Sequence, residues 1–186
     1  MKRIKNIWFF VWGHILGAVF YKKQYLTGDA YKFGGLGWWW ICKCFFSQKI
    51  CGHNRAAGWP VSRNIRINNP STICFDNEDL SNFHSFGIYY QSSDAQIVIG
   101  KGTRIGPNVG LITKNHDPLD LNKHLPAKPI VLGKACWIGM NAVILPGVTL
   151  GDHTIVGAGA IVTHSYPQGN CIIAGNPAKV VKELNR

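Results

Sequence analysis

Branched aliphatic residues recur at every sixth position between residues 132 and 162. They are Leu132, Ile138, Ile144, Leu150, Val156 and Val162. Glycines directly follow four of them, at Gly133, Gly139, Gly151 and Gly157. Mostly small or β-branched residues stand four places after each one, at Cys136, Ala142, Val148, Thr154, Ala160 and Tyr166. This period is neither the 3.6 of a helix nor the 2 of a strand. It is typical of a parallel β-helix, whose coils each take three hexads, so the stretch predicts two coils. Six positions in phase argue against the alternative, an antiparallel sheet with chance spacing.

The same pattern extends toward the N-terminus and is interrupted once. Ile99, Ile105 and Leu111 predict one more coil, and weaker signals over residues 60–96 predict degenerate first coils. Leu111 and the next aliphatic in phase are separated by 21 residues, which is not a multiple of six. Residues 113–129 are polar and contain three prolines. They are therefore predicted to leave the coil as an excursion loop, and long loops on rigid scaffolds tend to carry function.

The repeat fades after residue 162, and a different element is predicted at the C-terminus. Asn176-Pro177-Ala178 predicts the start of a short helix over 178–184, because proline is tolerated at the first helical position. Such a helix would cover the open end of the coil. The predicted division is an N-terminal segment (1–59), a β-helix domain with the loop 113–129 (60–174), and a C-terminal tail and helix (175–186).

Charge and aromatic residues concentrate in the first third of the chain. Residues 1–66 contain eleven basic residues and the single acid Asp29, which is +10 of the total net charge of +11. Six of the seven tryptophans also lie there. The apolar run from Ile7 to Phe20 predicts a helix of about 21 Å, shorter than the roughly 30 Å hydrocarbon core of a bilayer.

Tryptophan combined with lysine and arginine is typical of the lipid headgroup region. We therefore expect residues 1–50 to lie in or dip into the anionic inner leaflet, which makes the protein cytoplasmic and peripheral on the inner face of the cell membrane. The alternative is an aromatic cap packed on the solenoid end or on a partner subunit. Nucleic acid is excluded as a partner, because neither a recognition helix nor an RNA-binding signature is present. The six cysteines lack paired C-x-x-C spacing, which favours reduced thiols over disulfides or a metal.

Three motifs resemble those of the hexapeptide-repeat acetyltransferases. They are Asn115-His116-Asp117 at the start of the loop, the stretch 129–139 (PIVLGKACWIG) and the stretch 174–179 (AGNPAK). The core of the resemblance covers residues 97–182. Within the superfamily the chain is most similar to the maltose, galactoside and nodulation-factor O-acetyltransferases, and closer still to those of capsule and exopolysaccharide synthesis. A weaker resemblance of the capsule type extends upstream through Trp59-Pro60-Val61-Ser62 and Asp79–Gln91. The family resemblance implies a left-handed parallel β-helix and a homotrimer with active sites at the subunit interfaces. It also implies acetyl-CoA as co-substrate and no metal.

The implied activity is acetyl transfer to a hydroxyl of a sugar or polysaccharide unit, including a lipid-linked one. An alcohol is a poor nucleophile until a base takes its proton, and histidine titrates near neutrality. His116 matches the family's catalytic base; without the motif it would be read as an exposed loop histidine. Asn115 and Asp117 flank it, and either one can fix the ring tautomer. Asp94 matches an acceptor-contacting position, and its alternative is an ordinary turn residue.

The resemblance also implies a set of residues that bind the acetyl donor, namely Trp137, Gly139, Met140, Gly157, Ala158, Thr163, Lys179 and Lys182. The two lysines match basic positions near the CoA phosphates, and their alternative is a solvated helix face. The alternative role of Trp137 is only to fill a corner of the solenoid. Met140 stands where the sugar enzymes often have serine, so a backbone amide around 139–141 is expected to stabilise the oxyanion.

Three other functions remain as alternatives. Transfer to serine or a small xenobiotic is one, although serine acetyltransferases carry a long helical N-terminal domain that residues 1–66 do not resemble. A carbonic anhydrase on the same solenoid needs three zinc-binding histidines, and the eight-residue separation of His116 and His124 does not fit an H-x4-H spacing. The third is a non-catalytic scaffold at the membrane, against which the intact motif argues.

Overall fold

The computed structural model describes residues 2–185, with side chains from Ile7 onward. The chain divides into two compact units, Met1–Arg63 and Asn64–Arg186. We call them the N-terminal unit and the three-sheet unit.

The N-terminal unit is built on two helices, α1 (Lys2–Phe20) and α2 (Leu36–Phe45), and a π-helical segment follows α2 at Phe46–Ile50. This confirms the helical character predicted for the segment. The helices meet at Gly13 and Gly17, both buried. A Cβ on Gly13 would stand 2.9 Å from Trp38 Cβ, and one on Gly17 would stand 3.1 Å from Ile41 Cδ1. Small residues at this spacing allow α2 to approach the α1 backbone closely.

A buried glutamine ties the rest of the N-terminal unit together. Gln48 Oε1 accepts hydrogen bonds from Tyr21 Oη (3.2 Å) and Val61 N (3.1 Å), and its Nε2 donates to Trp59 O (2.9 Å). Buried amides need such partners. None of the helices within residues 2–185 combines the length and apolar character that crossing a membrane requires.

The three-sheet unit is made of short, mostly parallel strands. In chain order they are β1 (Arg66–Ile67), β2 (Ile73–Cys74), β3 (Tyr89–Gln91), β4 (Ile97–Ile99), β5 (Arg104–Ile105), β6 (Gly110–Ile112), β7 (His116–Asp117), β8 (Asp120–His124), β9 (Ile130–Leu132), β10 (Trp137–Ile138), β11 (Val143–Ile144), β12 (Thr149–Leu150), β13 (Ile155–Val156), β14 (Ile161–Val162), β15 (Cys171–Gly175) and β16 (Ala178–Glu183). The first sheet has the order β1-β3-β6-β11-β14, the second β16-β15-β13-β10-β5 and the third β12-β9-β4-β2. From β4 onward the chain visits the third, second and first sheets in rotation, so each strand pairs in parallel with its equivalent one turn later.

The hexad positions form the core of this unit, as predicted. All six aliphatic positions between residues 132 and 162 are at most 1% exposed, and five of the second set are buried with them. Burial of that many branched side chains is what stabilises strands only two or three residues long. Before β4 the pattern weakens, and a 3-10 helical segment, Asn77–Phe83, stands between β2 and β3.

Two different constraints shape the corners. Gly133 and Gly139 have no room for a side chain, because a Cβ on either would lie 2.6 Å from a backbone nitrogen of the following coil. Two residues farther on, the backbone turns left-handed, with a positive φ at residues 135, 141, 147, 153 and 159. The corners therefore combine a close approach between coils, at Gly133 and Gly139, with a left-handed turn residue that recurs every six residues.

The predicted C-terminal helix over 178–184 is wrong. Residues Ala178–Glu183 instead form β16, which pairs antiparallel with β15 and extends the second sheet. Asn176 and Pro177 form the tight turn between the two strands. Their dipeptide suits a turn as well as a helix start, and the β-branched pair Val180 and Val181 favours a strand once β15 offers its edge.

Candidate active site

The interruption of the coil between β6 of the first sheet and β9 of the third sheet carries the candidate base. Residues 113–129 leave the coil, as predicted, and fold into an antiparallel hairpin of β7 and β8. Gln91 anchors its root, since its Oε1 accepts hydrogen bonds from Thr113 N (2.9 Å) and Lys114 N (3.0 Å). His116 is the first residue of β7 and its side chain is exposed.

Two contacts hold the His116 ring. Its Nδ1 lies 2.8 Å from the carbonyl oxygen of Leu121, across the hairpin. On the same hairpin, His124 pairs with His116 in register, and the two ring centroids lie 4.2 Å apart with planes inclined by 34°. A carbonyl oxygen only accepts, so Nδ1 carries the hydrogen in this contact. In the neutral ring Nε2 is then the basic nitrogen.

The residues flanking His116 have other partners. Asp117 Oδ1 accepts a hydrogen bond from Leu119 N at 2.8 Å and thereby closes the turn between β7 and β8. The Asn115 backbone carbonyl accepts a hydrogen bond from Leu125 N at 3.0 Å. The contact to Nδ1 thus comes from the Leu121 backbone, which no side-chain motif could reveal.

Asp94 lies close to this root through an ion pair. Its Oδ2 is 2.5 Å from Lys114 Nζ, and Lys114 immediately precedes the Asn115-His116-Asp117 motif. The Asp94 side chain remains 52% exposed, so the carboxylate is still accessible from solvent. Sequence reasoning overlooked Lys114 because its partner is 20 residues earlier in the chain.

Trp137 lies on a different element, the outer face of the second sheet. The strand registers align Trp137 with Ile155, Ile155 with Ile172, and Ile172 with Lys182. At about 4.8 Å per strand, this outer row is about 14 Å long and ends in an ammonium group. Trp137 is 58% exposed. A cavity of about 470 Å³ adjoins the row and is lined by Ile155 and by residues 182–185.

The remaining predicted donor-binding residues divide between two sheets. Gly157 and Ala158 directly follow β13 in the sheet that carries Trp137, and Lys179 is exposed on β16 of that sheet. Thr163 follows β14 in the first sheet, where its hydroxyl lies 2.7 Å from His164 Nδ1. Thr163 is therefore not part of the outer row.

The corner after Trp137 contains three successive backbone amides. Gly139 N donates to Val156 O at 2.8 Å, and Asn141 N donates to Pro107 O at 3.0 Å. The Met140 carbonyl accepts from Gly159 N, and the Met140 side chain is 47% exposed. Within residues 2–185, no three histidine, cysteine or acidic side chains come together in a way that could hold a metal ion.

Comparison with known proteins supports the resemblance drawn from the motifs. Residues 129–164 match the family model described as bacterial transferase hexapeptide (six repeats). The chain is 41% identical over 95 residues to the galactoside O-acetyltransferase of Escherichia coli K12, a match covering 50% of this chain and 46% of the relative. It is 40% identical over 88 residues to the putative colanic acid biosynthesis acetyltransferase WcaF of the same organism, covering 47% and 48%.

A solved structure matches over a longer stretch. It is a hexapeptide-repeat-containing acetyltransferase of Vibrio cholerae O1 biovar eltor in complex with acetyl coenzyme A. The identity is 29%, the TM-score is 0.50, and the match covers 66% of this chain and 62% of the other. The chain spans about half the length of the curated relatives it matches. Residues 129–164 thus match the bacterial transferase hexapeptide model, and the resemblance of the chain to the hexapeptide-repeat acetyltransferases is confirmed.

Proposed function

We propose that the protein is an acetyl-CoA-dependent O-acetyltransferase that acts on a hydroxyl of a sugar or polysaccharide unit, built on a left-handed parallel β-helix. The observation that carries this proposal is the geometry of His116. Its ring is exposed at the root of the hairpin, and its Nδ1 lies 2.8 Å from the carbonyl oxygen of Leu121. Because this oxygen only accepts, the hydrogen of the neutral ring is on Nδ1. This leaves Nε2 as the nitrogen that accepts a proton.

In the proposed reaction, the acceptor hydroxyl donates its hydrogen bond to His116 Nε2. Its oxygen attacks the thioester carbonyl while Nε2 takes the proton, so the oxygen never has to carry a full negative charge. The tetrahedral intermediate then collapses with cleavage of the carbon–sulfur bond. The imidazolium returns its proton to the departing thiolate, and the products are an O-acetyl ester and CoA.

The proposed oxyanion donor is the Met140 N–H. Its two neighbours, Gly139 N and Asn141 N, are already engaged by carbonyls of adjacent coils. A backbone amide fixed in a rigid corner needs no reorganisation when the charge develops. Replacement of the Met140 side chain should therefore leave this contribution intact.

The order of side-chain types along the outer row, apolar first and basic at the end, matches the order of groups in the proposed donor, acetyl-CoA. Trp137, Ile155 and Ile172 offer an apolar surface for the pantetheine arm. Lys182, at the end of the row, and Lys179 on the same strand offer ammonium groups for the anionic CoA phosphates. Gly157 and Ala158 allow close approach to the backbone at the adjoining corner.

For the acceptor, we propose a saccharide that contacts Asp94 beside the hairpin root. The names of the galactoside and colanic acid relatives support this class, and the motif pattern favours capsule or exopolysaccharide units. We also propose a lipid-linked acceptor at the inner face of the cell membrane, where acetyl-CoA is available. In this proposal, residues 1–59 associate with the membrane and residues 60–174 form the domain that catalyses the transfer.

We propose a homotrimer with active sites at the subunit interfaces. The hairpin carries three large apolar side chains in solvent, with Leu119 95%, Leu121 71% and Leu125 42% exposed. Contact with a second copy would bury them and exclude water from His116. Light scattering should give three times the monomer mass, and a monomer that is fully active would contradict this part of the proposal.

The test of the proposed function is a transfer assay. The full chain is incubated with acetyl-CoA and a panel of mono- and oligosaccharides, and release of the CoA thiol is followed. Acceptor-dependent thiol release, with a product heavier by one acetyl group in mass spectrometry, is the expected result. Release that ignores every saccharide but depends on serine or on an amine would replace this function with the corresponding alternative.

A further inference from the structure

One face of α1 is apolar and exposed along its described length. It consists of Ile7, Trp8, Val11, Trp12, Ile15 and Val19, whose exposed fractions range from 47% to 67%. At 100° per residue these positions cover an arc of about 140° of the helix. We call them the α1 apolar face.

The opposite side of α1 is already occupied. Gly13 and Gly17 are buried against Trp38 and Ile41 of α2. The His14 ring stacks on Trp38 with centroids 3.6 Å apart, and its Nδ1 lies 2.8 Å from Phe10 O. The packing against α2 therefore fixes the rotation of α1 and leaves the apolar face pointing away from α2.

Charge complementarity identifies the occupant of this face. The N-terminal unit contains ten basic residues and one acid, and that acid, Asp29, is paired with Lys32 at 2.5 Å. Six of the basic residues are exposed, namely Lys22, Lys23, Lys32, Lys43, Arg55 and Arg63. Two copies meeting through this face would bring two strongly basic units together, whereas an anionic lipid surface attracts both.

From these observations we infer that α1 lies in the plane of an anionic bilayer surface, with the α1 apolar face inserted among the headgroups and upper acyl chains. A helix that lacks the length and apolar character to span a membrane, but has a continuous apolar face and basic surroundings, binds in this way. Trp8 and Trp12 supply the amphipathic rings that favour the interface. The inference rests on the proposed location at the membrane and deepens it by naming the contacting surface.

The experiment measures sedimentation of the full chain with vesicles of phosphatidylglycerol and phosphatidylcholine, and with vesicles of phosphatidylcholine alone. The double variant Trp8→Ser/Trp12→Ser is compared with Phe86→Ser, whose ring is 60% exposed on the three-sheet unit. The double variant should lose about tenfold or more in its partition coefficient for the anionic vesicles, since two half-exposed indoles are removed. Phe86→Ser should stay within about twofold of wild type. Quenching of tryptophan fluorescence by lipids brominated on the acyl chain should fall in the double variant.

The outcomes separate this inference from the proposals on which it rests. If wild type binds and the double variant binds equally, the basic residues alone hold the protein and the α1 apolar face is the wrong surface. If wild type binds neither vesicle, the membrane location itself is wrong. If the double variant changes the oligomeric size in the absence of lipid, a second copy covers the face and the inference is overturned. Acetyl transfer to a water-soluble saccharide should be unchanged in the double variant, and that measurement tests the catalytic proposal independently.

Discussion

Substitution of Gly133 by alanine tests how the coils are stacked. A Cβ at Gly133 would stand 2.6 Å from Asp152 N and 2.6 Å from the Gly151 carbonyl carbon, against 3.4 Å or more in ordinary contacts. Both neighbours are backbone atoms of the next coil. They are held there by the hydrogen bonds Gly133 N to Leu150 O (2.8 Å) and Lys134 N to Asp152 Oδ1 (2.7 Å).

Relief of this overlap requires the two coils to separate locally. Overpacking of a rigid site costs about 1–3 kcal/mol, and weakening the two hydrogen bonds adds about 1 kcal/mol. We therefore expect Gly133→Ala to lower the free energy of unfolding by about 3 kcal/mol. Gly110→Ala is the matched control, because its Cβ would meet nothing closer than Val143 at 3.7 Å and its φ is not left-handed. That variant should be stabilised by about 0.4–1 kcal/mol through the unfolded state.

The assay is urea unfolding followed by circular dichroism, with all proteins at one concentration because subunit dissociation is linked to unfolding. Opposite signs for the two variants are predicted. Equal free energies of unfolding for Gly133→Ala and Gly110→Ala would refute the close-approach explanation of the corner glycines.

Three further predictions concern His124, Lys182 and Asp79. His124→Ala should lower kcat several-fold with an unchanged KM for acetyl-CoA. His124→Phe keeps a flat ring against His116 and should therefore retain most of the wild-type kcat. An equal loss of kcat in both variants would show that His124 does not act by packing against the His116 ring. Lys182→Gln should raise the KM for acetyl-CoA by about tenfold at constant kcat, measured by steady-state kinetics; an unchanged KM would argue against the outer row as the donor site. Burial raises the pKa of the Asp79 carboxyl, although Gly102 N donates a hydrogen bond to it. The folded protein therefore binds this proton more tightly than the unfolded chain does, and it loses stability as the pH rises through the folded-state pKa. Asp79→Asn should flatten this loss in unfolding measurements across acidic pH, and a parallel pH profile would show that the carboxyl is not responsible.

The core was predictable because its signal is periodic. Two positions of each hexad are buried in a fixed order, so Ile138 or Val156 could be assigned to the core without knowledge of any long-range contact. The excursion loop was predictable for the same reason, since a 21-residue interval breaks the phase. The left-handed conformation of Ala135 was not predictable, because alanine, unlike the Asn, His and Gly residues at the equivalent corners, rarely adopts a positive φ.

Other features depend on pairings that the local sequence does not specify. Asn176 and Pro177 suit both a helix start and a tight turn, and only the free edge of β15 decides for the strand. The eight-residue spacing of His116 and His124 does not by itself predict that their rings meet. The irregular register of the β7–β8 hairpin turns this spacing into a ring contact. The short alternation Leu119-Asp120-Leu121-Asn122 was the signal that could have indicated a strand here.

The proposed catalytic role of His116 is tested most directly by turnover of His116→Ala in acetyl transfer from acetyl-CoA to a saccharide. The control is His53→Ala, which removes an exposed imidazole from the N-terminal unit. We predict that His116→Ala loses at least about a hundredfold in kcat, with unchanged oligomeric size and acetyl-CoA binding, and that His53→Ala retains the wild-type rate. A His116→Ala protein that turns over at nearly the wild-type rate would contradict the account.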